Sequence, residues 1–377
     1  MTSSPTTFDE TERLDRLRLA RADTVGPASY RQLLERFGAA GPALDALPDL
    51  ARRAGGKANL RIPSRRDAAR EFAAVRALGG GIVIEGEAAY PACLAAIPDP
   101  PPLLTWRGDL SLLEAPAIAI VGARNASAGG RRIAETLARE LGEAGFVIVS
   151  GLARGIDTAA HRGALATGTI AVFAGGLDVV YPSENEALAS EIAAGGLLLA
   201  ELAPGTQPLA RNFPRRNRIV SGLALGAIVV EAAIKSGSLT TARLALEQGR
   251  EVLAVPGSPL DQRCRGTNRL LREGAVLVEE TVDVIEAIGP LAALRPRPKR
   301  PSTLAQTTPP PPQPIDIPQE IMAATLLERL GASPVPVDEL IRQCSFSAPV
   351  VRTMLLELEL AGRLERHPGD AVSMLPA

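Results

Sequence analysis

Four short segments of the sequence combine glycine with arginine, lysine, asparagine or serine, the residue types that bind phosphate groups. Glycine lets the backbone approach a ligand closely, free N–H groups at a helix start attract an anion, and arginine or lysine pairs with its charge. The segments therefore predict a phosphate-binding surface. Its candidate residues are Gly122 and Arg124 in the first segment, Ser150, Gly151, Arg154 and Gly155 in the second, Phe213, Arg215, Arg216, Asn217 and Arg218 in the third, and Lys235, Ser236, Gly237 and Ser238 in the fourth.

Each segment also has a plain structural interpretation, and the residues alone leave both open. The first could be an ordinary strand-to-helix turn, Asp157 in the second could serve only as a helix cap, and we expect His161 to pack on the sheet. A run of charges such as the one in the third segment is usually a solvated face. We nevertheless expect this segment to lie in a loop, where its arginine, amide and hydroxyl groups suit backbone phosphates.

The sequence contains few signs of catalysis or of a cofactor. The fourth segment lacks the Gly-x-x-x-x-Gly-Lys-Ser spacing of a P-loop, and no convincing Gly-x-Gly-x-x-Gly dinucleotide fingerprint occurs. The chain has two histidines and three widely separated cysteines, so histidine-based acid–base chemistry, a zinc site or a disulfide framework has little support. We expect no metal and no cofactor.

A parallel sheet is predicted to position these segments. Between about residues 117 and 289, apolar runs such as AIAIVG, FVIVSG, TIAVFAGG and GAIVVEA alternate with helical patterns. This alternation indicates a doubly wound α/β core with helices on both faces of the sheet. In such cores ligands bind outside the carboxyl ends of the strands, and the polar segments follow strands.

Composition shifts divide the chain into three domains and a linker. Residues 1–80 predict a small helical (SAM-like) domain, residues 81–289 an extended Rossmann-like domain, and residues 290–318 a proline-rich linker. Residues 319–377 give three helical patterns and a β-hairpin that turns at 368–370, which favours a winged helix over a three-helix bundle with an ordered tail. This last module is acidic, with eight carboxylates against five arginines, so we do not expect it to bind DNA strongly.

Overall charge gives no indication of a nucleic-acid partner. The 377 residues contain 41 basic and 42 acidic side chains, so any phosphate-binding surface must be a local patch. The amino terminus is polar, and no stretch of about 18 uninterrupted apolar residues offers a membrane span. We expect a cytoplasmic protein that does not contact the membrane.

The polar segments together resemble the bacterial DNA-processing protein family (DprA, also called Smf). The resemblance is carried, in this order, by SGLARGID from Ser150, FPRRNRIVSG from Phe213, KSGSL from Lys235 and VPGS from Val255. It implies a non-catalytic protein that binds single-stranded DNA in a basic pocket, forms homodimers and loads the RecA recombinase during natural transformation. It also implies that the candidate residues above surround the DNA-binding groove.

Aromatic residues make up only 3% of the chain, whereas proteins that bind single strands usually stack bases on aromatic side chains. Phe213 is the candidate stacking residue, and we expect Phe146, Phe173 and Tyr181 to pack in the core instead. The sequence thus predicts recognition through phosphates more than through bases, with little sequence preference.

Two other classes of function remain open on the sequence. A Rossmann-like hydrolase of nucleoside monophosphates would use Glu201 or Glu231 as its catalytic carboxylate, although the Pro-Gly-Gly-x-Gly-Thr motif of such enzymes is missing. A protein-interaction scaffold would use the acidic carboxy-terminal module to contact a partner and the core loops to bind only a small anion.

Overall fold

The first part of the chain folds into a small helical domain. The computed structural model describes residues 8–53, 60–293, 326–327, 329–331, 333–344, 346–367 and 369–375. Local sequence sets the helix starts: Asp9 accepts the backbone N–H of Glu12 at the start of α1, and Ser64 with Asp67 forms a capping box at the start of α4. The helices are α1 (Glu10–Ala20), α2 (Pro27–Phe37), α3 (Ala40–Arg53) and α4 (Arg65–Ala77).

A nine-stranded sheet in the order β1-β2-β6-β5-β4-β3-β7-β8-β9 forms the central domain. Strands β3 to β9 run parallel, β2 pairs antiparallel with β6, and β1 pairs antiparallel with β2. The strands are β1 (Gly80–Ile84), β2 (Leu103–Gly108), β3 (Ala117–Gly122), β4 (Val147–Ser150), β5 (Thr169–Phe173), β6 (Leu197–Ala200), β7 (Gly226–Val230), β8 (Glu251–Ala254) and β9 (Val276–Leu277).

Helices cover both faces of this sheet, because the strands are apolar on both faces. In β3, Ala119 and Val121 pack in one helix layer, whereas Ile118 and Ile120 pack in the other, as the two-residue period of a strand requires. The first layer contains α5 (Ala92–Ala95), α9 (Asn212–Leu223) and α10 (Gly237–Glu247), and the second contains α6 (Ala128–Glu143), α7 (Ile156–Gly163) and α12 (Thr281–Ala293). The remaining helices of this domain are α8 (Glu186–Gly195) and α11 (Arg265–Arg272).

The strand order reverses at β3, which creates a switch point. The chain adds β4, β5 and β6 on one side of β3 and β7, β8 and β9 on the other. The loops that leave the carboxyl ends of β3 and β7 therefore turn in opposite directions and leave a crevice between them, the usual ligand position in such sheets.

The carboxy-terminal module combines two helices, α13 (Val337–Cys344) and α14 (Ala348–Leu360), with a small sheet in the order β10-β12-β11. Its strands are β10 (Val335–Pro336), β11 (Leu364–His367) and β12 (Ala371–Met374). The predicted hairpin is confirmed, since β11 and β12 pair antiparallel. The first of the three helices predicted for this module, at 320–331, lies mostly outside the described residues.

Helix α14 also packs against the amino-terminal domain. Leu356 and Leu360 join the apolar core formed by α2 and α3, and the buried Glu359 accepts hydrogen bonds from Ser29 and Arg366. A buried carboxylate with these partners fixes the position of the helix, because an unpaired charge there would be costly.

The fold class predicted from the sequence is confirmed: a doubly wound α/β core with a helical domain before it and a winged-helix module after it. Residues 290–293 of the predicted linker form the end of α12, and residues 294–318 lie outside the described residues. None of the helices in the described ranges is long and apolar enough to cross a membrane.

Candidate nucleic-acid interface

The four polar segments lie side by side at the carboxyl edge of the sheet, and hydrogen bonds connect them. The Ile156 N–H donates to the Ala123 carbonyl at 3.2 Å, which links the first segment to the second. Arg216 in the third segment donates to the Gly151 carbonyl in the second, and Asn217 Nδ2 lies 3.4 Å from the Gly237 carbonyl in the fourth. The segments thus form one continuous surface.

The third segment was predicted to lie in a loop. In the structure it instead forms the first turns of α9, which begins at Asn212. In a helix successive side chains point about 100° apart, so adjacent arginines have different environments. Arg215 is exposed, whereas Arg216 and Arg218 are buried. The pattern of charges was visible in the sequence, but the helix decides which charges reach solvent.

Arg216 connects the helix to the ends of two strands. Its guanidinium donates to the Gly151 carbonyl after β4 and to the Val172 carbonyl in β5, the latter at 2.7 Å. Burial lowers the pKa of Arg216 to about 10, an effect that nearby Asp157 opposes and Arg124 reinforces. A side chain on Gly151 would collide with this guanidinium, so the glycine is needed for packing. Both residues support the loop from beneath its surface.

Arg218 lies in the core, with only 1% of its side chain exposed. Its Nη2 lies 2.5 Å from Oε1 of Glu201, and its Nη1 donates to the Asp99 carbonyl at 2.6 Å. Burial raises the pKa of the Asp99 carboxyl to about 6, and the positive charge of Arg218 limits that rise. Arg218 therefore holds the core together and has no donor directed at a ligand on the surface.

Backbone donors in the second segment bind a side chain of the protein itself. The N–H groups of Gly151 and Ala153 lie 3.1 and 3.3 Å from Oδ2 of Asp157, which fills the concavity where an external anion would sit. Ser150 is fully buried and donates to the Ile120 carbonyl. Gly155 has a φ of 80° and approaches the Ala123 carbonyl so closely that a side chain would clash. Arg154 is the exposed donor of this segment.

Glu231 occupies the switch point between the first and fourth segments. Its carboxylate accepts the backbone N–H of Ser127 at 2.8 Å and the Ser127 hydroxyl, at the start of α6. Gly130 packs against the same carboxylate, and a side chain at Gly130 would collide with it. A side chain at Gly122 would likewise collide with the Val230 carbonyl. The positive end of the α6 dipole, where a nucleotide phosphate often binds, therefore faces the protein's own carboxylate.

The charged candidates that remain on the surface come from all four segments: Arg124, Arg154, Arg215 and Lys235 are exposed. Arg154 lies 3.7 Å from Glu184, and both side chains are largely exposed, so this ion pair is weak. Among the described residues, Arg215 and Lys235 have no carboxylate within salt-bridge distance. Ser236 caps α10 and contacts the Ser238 hydroxyl, Ser238 is buried, and Gly237 is exposed.

Two aromatic rings lie among these charges, and only one of them, Phe213, was predicted from the sequence to contact a ligand. Phe213 is half-buried, and the ring of Tyr181 meets it edge to face, with centroids 5.8 Å apart. The expectation that Tyr181 packs in the core is wrong, because 51% of the residue is exposed, whereas Phe173 is buried. Its position in the loop that follows β5, at the same edge as the other segments, was the signal that could have identified it.

His161 packs against the sheet as predicted. It is fully buried, and its Nδ1 lies 2.7 Å from the Thr169 hydroxyl. Burial lowers the pKa of this histidine to about 3, so the ring is neutral at physiological pH. Within the described ranges, no group of three or more histidine, cysteine or acidic side chains is arranged to hold a metal ion.

Family models match all three domains. Residues 81–289, more than half of the chain, match the model of DNA recombination-mediator protein A. Residues 10–74 match the DprA-like N-terminal HHH domain, and residues 306–370 match the DprA winged helix domain. The resemblance found in the polar segments is thereby confirmed.

Individual relatives agree with the models. The DNA processing protein DprA of Streptococcus pneumoniae is 50% identical over 52% of this chain and 70% of its own length, and Protein Smf of Escherichia coli is 40% identical over 76% and 75%. The X-ray structure of DprA from S. pneumoniae superposes with a TM-score of 0.63 at 36% identity, covering 75% of this chain and 99% of that one.

A second solved structure, DNA processing protein A of Helicobacter pylori, was described for its single-stranded DNA binding mode. It superposes with a TM-score of 0.51 at 35% identity and covers 53% of this chain and 93% of its own. The fold, the models for all three domains and these relatives lead to one conclusion: the chain belongs to the DNA recombination-mediator protein A family.

Proposed function

We propose that this protein binds single-stranded DNA, without catalysing a reaction on it, along the carboxyl edge of its central sheet. The observation that carries the proposal is that Arg124, Arg154, Arg215 and Lys235, one from each polar segment, are exposed at this edge. A row of cations on connected loops suits a chain of phosphates better than a single small anion. The H. pylori relative described for single-stranded DNA binding supports the same assignment.

Burial separates the candidate residues into two roles. Side chains or backbone at the surface would contact the DNA, whereas the others would hold the loops in position from below. The proposed contacts are Arg124, Arg154, Phe213, Arg215, Asn217, Lys235, Ser236 and Gly237, and the proposed supports are Gly122, Ser150, Gly151, Gly155, Arg216, Arg218 and Ser238.

Fluorescence anisotropy with labelled oligo-dT, compared with a duplex of equal length across a salt series, tests the proposal. The native protein should prefer the single strand, with affinity that falls as salt increases. The Arg215→Ala/Lys235→Ala double variant should bind more weakly, and its salt slope should be smaller by about 1.4, since each phosphate contact on a single strand adds about 0.7.

A matched control removes two charges from the opposite edge of the domain. Arg139→Ala/Arg272→Ala changes exposed arginines near the carboxyl ends of α6 and α11 and should leave the salt slope unchanged. Equal losses in the two double variants would mean that binding depends only on total charge. No binding of oligo-dT by folded protein at low salt would refute the proposed function.

The hydrolase alternative finds little support in the site. The two carboxylates it would use are already engaged, since Glu201 pairs with Arg218 and Glu231 accepts from Ser127. Incubation with nucleoside monophosphates should release no free base. Turnover that Glu201→Gln or Glu231→Gln abolishes would reverse this assignment.

We also propose that the protein forms a homodimer through the far edge of the sheet. Strand β9 is an edge strand in which Leu277 is exposed, and on the adjacent α12 Val282 and Ile285 are exposed three residues apart. Exposed apolar side chains beside an open strand edge are typical of an interface. Sedimentation should show a dimer that Val282→Glu/Ile285→Glu converts to a monomer.

The wider role that the family implies is a further part of this proposal. We infer that the protein works in the cytoplasm and transfers incoming single-stranded DNA to RecA during natural transformation. Its expected effect is faster onset of RecA ATP hydrolysis on DNA already covered by a single-strand-binding protein. Arg215→Ala/Lys235→Ala should remove this stimulation, and the Arg139→Ala/Arg272→Ala control should retain it.

A further inference from the structure

Tyr181 has an unusual environment for a large aromatic side chain. It lies in the loop that follows β5, three residues before Glu184, and its ring contacts Phe213 at the start of α9, with 51% of its surface exposed. Burying an aromatic ring stabilises a fold by several kcal/mol at most, and that gain is largely unused here. The exposed surface is therefore available to a partner.

Its neighbour Phe213 is more enclosed. Phe213 is half-buried in the first turn of α9, with the Arg124 guanidinium 5.1 Å and the Arg216 guanidinium 6.0 Å from its ring centroid. The Tyr181 ring meets it at an interplanar angle of 65°. These contacts hold Phe213 in place, so it can support Tyr181 from the side while much of Tyr181 stays open.

We propose that Tyr181 stacks on a DNA base, an inference that rests on the proposed single-stranded DNA binding and deepens it. A base lying on the exposed ring would have a phosphate near Arg124, the exposed cation 5.1 Å from the Phe213 centroid. Arg154, which pairs with Glu184 three residues after Tyr181, could contact a neighbouring phosphate. Every base has an aromatic face, so this contact adds affinity without sequence preference. With Tyr181 added, the surface recognises the bases as well as the charged backbone.

Base-free DNA separates stacking from phosphate binding. The probes are labelled oligo-dT and an abasic strand of the same length, each measured with the native protein, Tyr181→Ala and Tyr181→Phe. The native protein should bind oligo-dT more tightly than the abasic strand. Tyr181→Ala should weaken oligo-dT binding by about 5- to 150-fold, the range measured for one stacked base, and leave abasic binding and the salt slope unchanged. Tyr181→Phe should bind like the native protein, because the ring is retained.

Leu246→Ala is the matched control, since Leu246 is 70% exposed near the carboxyl end of α10, at the opposite edge of the domain, and it should bind both strands normally. Three results would overturn the stacking role: equal native affinity for the two strands, equal weakening of both by Tyr181→Ala, or the same loss in Tyr181→Phe as in Tyr181→Ala. In the first of these the protein still binds single strands, so the proposed function survives. Absence of binding to either strand would overturn the proposed function, and the role of Tyr181 with it.

Discussion

Nη2 of Arg218 lies 2.5 Å from Oε1 of Glu201, in the core of the central domain, and Asp99 contacts the same guanidinium. The two partners come from α9 and from the residue after β6, so the ion pair joins a helix to the sheet. Arg218 is part of the arginine-rich segment that carries the family resemblance, yet its partners are carboxylates of the protein itself. In this structure Arg218 joins α9 to the sheet.

Replacing Arg218 with methionine should destabilise the protein by about 3–5 kcal/mol, because Glu201 would remain buried without its counter-charge. The double variant Arg218→Met/Glu201→Met should recover part of that loss, since both charges are then gone. Urea unfolding of the two variants and the native protein measures the difference. A double variant less stable than the single one would contradict the assignment of these two residues as a pair.

Alanine substitutions of the two neighbouring arginines of α9 should have different effects, one on DNA affinity and the other on stability. Arg215→Ala should lower DNA affinity and reduce the salt slope by about 0.7 while leaving stability unchanged, because Arg215 is exposed. Arg216→Ala should cost about 2–3 kcal/mol of stability, because it leaves the carbonyls of Gly151 and Val172 without their donor. Anisotropy and urea unfolding on both variants test the pair, and the prediction fails if Arg216→Ala is as stable as the native protein.

Glu231 should act as a structural hydrogen-bond acceptor. Glu231→Ala should lower stability by about 1–3 kcal/mol, since it removes the acceptor of the Ser127 N–H and hydroxyl at the start of α6. Ser127→Ala keeps the N–H contact but removes the hydroxyl, which also caps α6 by accepting the Gly130 N–H, so it should cost a comparable amount, about 0.5–2 kcal/mol. Thermal unfolding measures both, and equal stability of Glu231→Ala and the native protein would show that the contact contributes nothing.

Acid should destabilise the protein partly through His161. The Thr169 hydroxyl donates to the Ile148 carbonyl, so Nδ1 of His161 donates to the hydroxyl, and the buried Nε2 has no partner among the described residues. Burial lowers the folded pKa from 6.5 to about 3, so between these values the unfolded chain binds a proton that the folded protein excludes.

Stability therefore falls as the pH drops from 6.5 towards 3, at a rate that approaches about 1.4 kcal/mol per pH unit for this single group. His161→Leu removes the titrating group and keeps the site apolar. Urea unfolding at pH 7, 5.5 and 4.5 should give a shallower pH dependence for the variant, by up to that amount per unit. Parallel curves for the two proteins would rule out His161 as a source of acid sensitivity.

The sequence by itself determined the order of elements and the family. Continuous apolar runs that alternate with helical patterns indicated a parallel sheet with two helix layers, since a strand covered on both faces must be apolar throughout. The glycine- and arginine-containing segments could be placed at the carboxyl ends of strands without coordinates. Their residue types and order also identified the family, which the comparisons then confirmed.

Only the tertiary structure decided which side chains remain available. Arg215, Arg216 and Arg218 are of one residue type within four positions, but the rotation of α9 exposes the first and buries the other two. Glu231 accepts the backbone N–H of Ser127, 104 residues earlier in the chain, so the packing of distant segments brings this carboxylate to a donor that would otherwise face a ligand. Tyr181 is 51% exposed, although the ring of Phe213 packs against it. Exposure depends on what packs against a residue, and residues distant in the sequence supply most of that packing.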